Sequence, residues 1–270
     1  SADSRQFYRE MKIGTAAPTP EELASVPHHF VHHKSIEEKY TVGDFEREAL
    51  SKLKEAFSTK DIVVMVGGSG LYINAVTDGL DDFPEVDPGI REDLNLELST
   101  KGLLPMQEKL KRLDPVYYSE VDINNPHRII RALEICIGTG KPYSSFKNQE
   151  PKSRPFRTIF IGLSAEREII YDRINQRVDE MIRQGLLGEA QKLYPYKELN
   201  PLKTVGYQEI FNYMDGNFTL EEAIEDIKKN TRRFSKRQMT WFRKNEKINW
   251  FDQSTSTEKI IEFLEEKINS

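Results

Sequence analysis

The turn Gly67-Gly68-Ser69-Gly70 follows a run of mostly β-branched residues, Asp61-Ile62-Val63-Val64-Met65-Val66, and precedes the apolar stretch Leu71-Tyr72-Ile73-Asn74-Ala75-Val76. That order predicts a buried strand turning into a helix, and free N–H groups at such a helix start can hold an anion. Glycines are equally common wherever a strand meets a helix closely, so the turn is either an anion cradle or a packing device. A second glycine segment, Gly138-Thr139-Gly140-Lys141-Pro142, fails as a phosphate loop. Ile135 stands where the first glycine belongs, and Pro142 replaces the hydroxyl that would face Mg2+. His28, His29, His32 and His33 crowd one short segment. Without paired cysteines or a His-Glu-x-x-His spacing, they read as structural rather than as metal ligands.

The net charge of −5 does not suggest a nucleic-acid partner, but the charge is unevenly spread. Between Lys228 and Lys247 nine lysines and arginines stand against one acid, Glu246, so that segment carries +8 and the remainder −13. On a helical wheel Lys228, Lys229, Arg232, Arg233, Lys236 and Arg237 share one half, while Ile224, Ile227, Phe234 and Trp241 share the other. Such a face is either simply solvated or holds the phosphates of an RNA stem. Solubilising faces usually mix signs to avoid repulsion one turn apart, which this one does not. Phosphate contacts of this kind give affinity and orientation without reading sequence.

The elements that must position these residues alternate. A second strand is predicted over Arg157-Thr158-Ile159-Phe160-Ile161-Gly162-Leu163, followed by a helical pattern from Glu166 through Ile182. Strands alternating with helices imply an α/β fold with a parallel sheet, whose ligands gather at the carboxyl ends of the strands. Between the two strands, residues 86–150 read as short helices broken at Gly102, Asp114-Pro115 and Asn125-Pro126, a helical insertion. The polar, proline-containing stretch from Lys147 to Pro155 is the returning linker, and the chain is again helical from after Gly216 to about Arg243. The 37% hydrophobic content suffices for one sizeable core. No apolar run approaches the roughly 18 residues of a membrane span. The one cysteine, Cys136, sits in an apolar run and is expected to be a buried thiol in a reducing cytoplasm.

Taken together, segments along nearly the whole chain carry a resemblance. They are Ser1-Ala2-Asp3-Ser4-Arg5-Gln6-Phe7-Tyr8 with Ile13-Gly14-Thr15-Ala16 and Pro18, Val66-Gly67-Gly68-Ser69-Gly70-Leu71-Tyr72, and His127-Arg128-Ile129-Ile130-Arg131-Ala132-Leu133-Glu134. Thr204-Val205-Gly206-Tyr207 and Lys236-Arg237-Gln238-Met239-Thr240-Trp241 follow. In that order they resemble the motifs of bacterial tRNA dimethylallyltransferases. The resemblance implies a P-loop NTPase-like parallel sheet core flanked by helices (1–85 and 151–270), with the 86–150 insertion closing as a clamp on the anticodon arm. It implies transfer of a dimethylallyl group from dimethylallyl diphosphate, with Mg2+, to N6 of adenosine 37. By the same resemblance Asp3 is the general base, and Ser4, Arg5 and Gln6 contact tRNA. Ser69, usually threonine in the family, keeps its hydroxyl role in catalysis and RNA contact, and Arg177 supports the reacting diphosphate. Further tRNA contacts are implied for Arg91, for His127, Arg128, Ile129, Ile130 and Arg131, and for Lys203, Thr204, Val205, Gly206, Tyr207 and Gln208. Arg233, Lys236 and Arg237 are the phosphate-facing members of the basic run.

Residue chemistry agrees with those roles. An exocyclic adenine amine is a weak nucleophile, so a carboxylate within reach must take its proton as the new bond forms. The leaving diphosphate gains charge that cations must meet, and Arg177 offers a bidentate fork. Taken alone, Asp3 reads rather as a helix cap and Arg177 rather as half of a surface ion pair; within the ordered motif set both readings reverse. The P-loop expected of the family is absent from the sequence and would lie just before Ser1, on roughly thirty to forty residues. A single cysteine cannot build a C-terminal zinc finger, which favours the bacterial form. The protein is expected to be a cytoplasmic monomer without membrane association. Two other classes remain, a nucleotide-dependent phosphotransferase on the same core and a non-catalytic RNA-binding module.

Overall fold

A computed structural model describes residues 1–147 and 150–269. It divides into two compact units, Ser1–Thr77 with Arg154–Ser270, and Asp78–Ser153. The first unit opens with α1 (Pro20–Ser25), α2 (Val42–Ala56) and α3 (Gly70–Thr77). The second unit follows with α4 (Pro88–Lys101), α5 (Leu104–Leu113), α6 (Pro115–Glu120) and α7 (Pro126–Thr139). The first then resumes with β1 (Phe160–Ser164), α8 (Arg167–Gln184), α9 (Leu186–Leu193), α10 (Tyr207–Met214), α11 (Leu220–Phe242), β2 (Ile248–Asp252) and α12 (Thr257–Asn269).

Within the second unit most helix starts have a local cause. Asp87, Asp114 and Asn125 cap α4, α6 and α7 through their side chains, each with a proline in the first turn where no N–H is needed. Gly140 ends α7 in the left-handed conformation, so the Gly138–Pro142 segment is a helix terminus. Leu94, Met106, Leu110, Tyr117, Ala132 and Leu133 form the core together with Ile129 and Ile130. The buried Asp114 carboxylate is satisfied by the N–H groups of Tyr117 and Ser144 and by the Ser144 hydroxyl. Cys136 is buried, and burial pushes its thiol above the usual value. Of the linker expected over Lys147–Pro155, Asn148 and Gln149 lie outside the described residues.

The first unit packs around an aromatic cluster, with Phe7 stacked on Phe45 and met edge-on by His33, Tyr40 and Tyr72. Its sheet is parallel, β1 beside β2, running in register from Phe160 opposite Ile248 to Ser164 opposite Asp252. Gly162 is required there, because a Cβ would stand 2.6 Å from the Trp250 ring. The chain is thus α/β, with the helices α8 to α11 crossing between two parallel strands.

The strand expected over Asp61–Val66 is a correction. The segment belongs to no sheet among the described residues, and Ile62, Val64 and Val66 are 60%, 78% and 68% exposed. Its alternation is genuine, since Val63 and Met65 are half-buried on the opposite face. At its end the Val66 carbonyl accepts from the Ala2 N–H. Strand composition is a local property, whereas burial of a strand depends on a neighbour supplied from elsewhere in the chain.

Candidate functional site

The segment Ala2–Gln6 lies across the glycine turn. The Ala2 N–H donates to the Val66 carbonyl at 2.7 Å, and the Ser69 N–H donates back to the Ala2 carbonyl at 3.2 Å. Gly67 has no room for a side chain between those bonds, because its Cβ would meet Ala2 backbone at 2.4 Å. The Ser69 hydroxyl accepts from the Ser4 N–H and donates to the Ser4 hydroxyl, both at 3.0 Å. From above, Gln238 Nε2 of α11 donates to the Gly68 carbonyl at 3.0 Å, and the Trp241 indole covers Gly70. The glycines are therefore packing devices against Ala2, Gln238 and Trp241, and one of the turn's N–H groups is already committed to Ala2.

Asp3 is half-buried at the rim of this turn. Its Oδ1 accepts from the Arg5 N–H at 2.9 Å, a local turn closure, while no hydrogen bond to Oδ2 occurs among the described residues. Arg5 reaches away from Asp3 and donates to the carbonyls of Asn200 and Pro201, at 3.3 and 3.1 Å. Burial works against the Arg5 charge, and the nearby Tyr8, Tyr72 and Asp3 oppose that effect. Gln6 Nε2 donates to the carbonyls of Thr15 and Ala16. Arg5 and Gln6 thus spend their side chains on the protein's own backbone.

The segment that Arg5 reaches leads directly into Lys203–Gln208. Lys203 and Gln208 are exposed, Thr204 and Val205 half-buried, and Gly206 and Tyr207 buried. Gly206, at φ +98°, donates its N–H to Glu209 Oε2 at 2.8 Å, and the other oxygen of that buried carboxylate accepts from Asn230 of α11. The Tyr207 hydroxyl donates to Glu189 Oε1 at 2.6 Å, and burial followed by the Glu189 charge holds it far above the ordinary phenol range. The Tyr207 side chain is completely buried in the first unit's core. The side chains of Ile129 and Ile130 likewise fill the second unit's core.

On α11 the predicted separation of faces holds only in part. Ile227 is buried, but Phe234 and Trp241 are 50% and 43% exposed. Lys228 is drawn between Asp179 and Glu225, and Arg232 donates to Asn175 of α8. Lys229 pairs with Asp226. The exposed α11 cations in no ion pair among the described residues are Arg233, Lys236 and Arg237, with Arg237 5.9 Å from the Phe234 ring centre. Arg177 is exposed on α8 and makes no ion pair among the described residues, and no contact joins it to Asp3 or Ser69.

In the second unit the largely buried Glu134 lies between two predicted RNA contacts, 3.6 Å from Arg91 and 3.2 Å from Arg131. Arg131 also stands over the Phe83 ring. His127 and Arg128 are exposed at the start of α7. Glu134, Gln238 and Glu189 were not singled out by sequence reasoning. Glu134 and Gln238 lie within the ordered motifs, Gln238 one turn before Trp241, whereas Glu189 resembles any acid on an amphipathic helix. No helix among the described residues is long and apolar enough to cross a membrane.

A family model described as IPP transferase matches residues 6–245. The chain is 60% identical to a tRNA dimethylallyltransferase of Christiangramia forsetii, over all of this chain and 89% of that protein. It is 55% identical to one of Flavobacterium johnsoniae, with the same coverage. Among solved structures, a tRNA isopentenylpyrophosphate transferase from Bacillus halodurans matches at 39% identity and a TM-score of 0.69, covering 99% of this chain and 86% of that one. A eukaryotic dimethylallyltransferase acting on tRNA shares the fold at a TM-score of 0.82 and 24% identity, over 99% of this chain and 72% of its own. On the extent of these matches and the motifs that carry them, the chain belongs to the tRNA dimethylallyltransferase (IPP transferase) family.

Proposed function

We propose that the protein transfers the dimethylallyl group of dimethylallyl diphosphate to N6 of adenosine 37, beside the tRNA anticodon, with Asp3 as general base. The observation that carries this reading is the pair of hydrogen bonds joining Ser4 to Ser69, which fixes the Asp3 turn on the glycine turn. In the reaction the N6 lone pair forms a bond to the first allylic carbon, the bond from that carbon to oxygen breaks, and diphosphate leaves with the electron pair. The displaced amine proton goes to Asp3 Oδ2, while Oδ1 stays bonded to the Arg5 N–H and keeps the carboxylate oriented. Arg177 meets the charge that grows on the diphosphate, its fork uncommitted to any ion pair among the described residues. A stacked anticodon-loop base cannot reach such a carboxylate, so the adenine must be extruded from the loop.

Arg233, Lys236 and Arg237 hold RNA phosphates in this reading, and Arg91, His127, Arg128 and Arg131 take the anticodon arm as the clamp. Ser4, Arg5, Gln6 and the Lys203–Gln208 segment contribute surface and backbone beside the base, Arg5 and Gln6 chiefly by holding that backbone. Mg2+ is expected with the diphosphate. The described residues gather no group of three or more His, Cys, Asp or Glu side chains fit to hold it, and no step above runs through the ion. The protein works as a monomer in the cytoplasm, where its buried free thiol stays reduced.

Mass spectrometry of tRNA after incubation of the full-length protein with dimethylallyl diphosphate and Mg2+ tests this reading. A prenyl group on adenosine 37 is expected. RNA binding without modification would leave a binding module, and phosphate transfer would leave a phosphotransferase.

A further inference from the structure

Glu189 of α9 accepts four hydrogen bonds from two distant parts of the chain. Its Oε2 takes the N–H groups of Lys12 and Ile13, at 3.1 and 2.9 Å. Its Oε1 takes the Gly14 N–H at 3.0 Å and the Tyr207 hydroxyl at 2.6 Å. Three successive N–H groups converging on one carboxylate make an anion nest, here filled from within the protein. The two parts also touch directly. A Cβ on Gly14 would meet the Tyr207 ring at 2.5 Å, and one on Gly206 would meet the Gly14 carbonyl oxygen at 3.7 Å.

The consequences run outward from this carboxylate in both directions. On one side, the Lys12–Gly14 backbone continues into Thr15 and Ala16, whose carbonyls take both hydrogens of the Gln6 amide. Ala16 sits at φ +47°, a conformation that a non-glycine residue keeps only when its surroundings impose it. On the other side, Tyr207 begins α10 and anchors the segment Lys203–Gln208, whose ends Lys203 and Gln208 are exposed. The segment carrying Asp3 and the segment carrying Lys203 are therefore joined through one side chain that itself lies under both.

We propose that Glu189 is a positioning residue for RNA capture, setting the Gly14–Ala16 and Lys203–Gln208 backbones in the one arrangement that fits the anticodon loop. The inference rests on the function proposed above and adds to it a residue that touches neither the base nor the donor. Removing a carboxylate that satisfies four donors frees both segments, so the loss falls on RNA affinity and not on donor affinity.

The test uses Glu189→Ala, Glu189→Gln and Tyr207→Phe in the full-length protein. Binding of a labelled anticodon stem-loop is measured by anisotropy, and KM is measured separately for RNA and for dimethylallyl diphosphate. Glu189→Ala is expected to raise the RNA Kd and KM by about ten-fold or more, the loss of buried hydrogen bonds expressed as affinity. Glu189→Gln, which retains one acceptor oxygen, falls between it and the wild type. Tyr207→Phe, which loses only a hydroxyl and covers the case of an alanine variant that does not fold, raises the RNA Kd by about three- to five-fold. The double variant is no worse than Glu189→Ala alone, because the hydroxyl acts through that carboxylate. Donor KM stays within about two-fold throughout. An RNA Kd within two-fold of wild type in Tyr207→Phe and in the folded Glu189 variants overturns the inference, as does a parallel rise in both KM values. A wild-type protein that fails to prenylate RNA removes the proposed function instead, so the two failures are told apart by the control.

Discussion

Replacing Gly67 by alanine tests whether the Asp3 turn is held by its contact with the glycine turn. The added methyl would stand 2.4 Å from both the carbonyl carbon and the oxygen of Ala2 and must push that backbone by about 1 Å to reach ordinary contact. Ala2 cannot yield cheaply, since it is fully buried and bonded on both sides, to Val66 and to Ser69. Overpacking of this kind costs about 1–3 kcal/mol of stability. Asp3 follows Ala2 directly, and misplacing a reacting group by about 1 Å costs on the order of 100-fold in rate. Gly68→Ala is the matched control. Its Cβ would meet only the end of the Gln238 amide, at 2.1 Å, and that side chain can swing aside at the loss of one hydrogen bond, about five-fold in rate. Single-turnover transfer by the full-length proteins, with stem-loop binding measured in parallel, should therefore rank wild type, then Gly68→Ala, then Gly67→Ala, with RNA affinity little changed. A Gly67→Ala rate within three-fold of wild type, or a slower Gly68→Ala, would refute the claim that this backbone contact positions Asp3.

Asp3→Asn should retain stem-loop binding and slow single-turnover transfer by about 100-fold or more, the usual loss with a general base. Rates within a few-fold of wild type would remove Asp3 from that role. Reversing the charge at Arg233 and Lys236 should weaken binding to all substrate tRNAs alike and make the slope of log affinity against log salt shallower by about two phosphate contacts. Unchanged slopes would mark the face as merely solvated. His33 is held below the usual imidazole value, first by burial and then by Lys34, against the pull of Glu48 and Glu38. Its folded form therefore binds protons less readily than the unfolded chain, so its contribution to stability is present above about pH 6.5 and lost as the pH falls through the lowered folded value. Thermal melts from pH 7.5 to 5 should show His33→Phe losing less stability than wild type; equal losses would exclude His33 as a source of acid sensitivity.

The parts of the fold that could be read from the sequence are those whose cause is local. Asp87, Asp114 and Asn125, each before a proline, and Gly102 and Gly140 end helices by chemistry contained within a few residues, and the breaks stand where they do. Pairing in a sheet has no such local cause. The run Ile62–Val66 has strand composition and belongs to no sheet among the described residues, whereas Ile248–Asp252, masked by the charged run before it, pairs with Phe160–Ser164 from far back in the chain.

The same distinction divides the site. Asp3, Ser69 and the glycine turn were legible because their residue types sit in ordered motifs, but the bonds that unite them were not. Gln238 to Gly68, Arg5 to Pro201 and Glu189 to Gly14 each join segments whose separation leaves no periodic trace. The basic helix shows how far a wheel reaches. It fixes which side chains leave α11 in the same direction, and it cannot know that Asp179 and Asn175 of α8 lie in the path of Lys228 and Arg232. Of the six cations on the wheel, three are exposed outside any ion pair among the described residues, Arg233, Lys236 and Arg237, beside the exposed Phe234 ring. Charge available to RNA is set by which partners the fold brings up, so reversing Arg233, Lys236 or Arg237 should change the salt slope more than reversing Lys228 or Arg232.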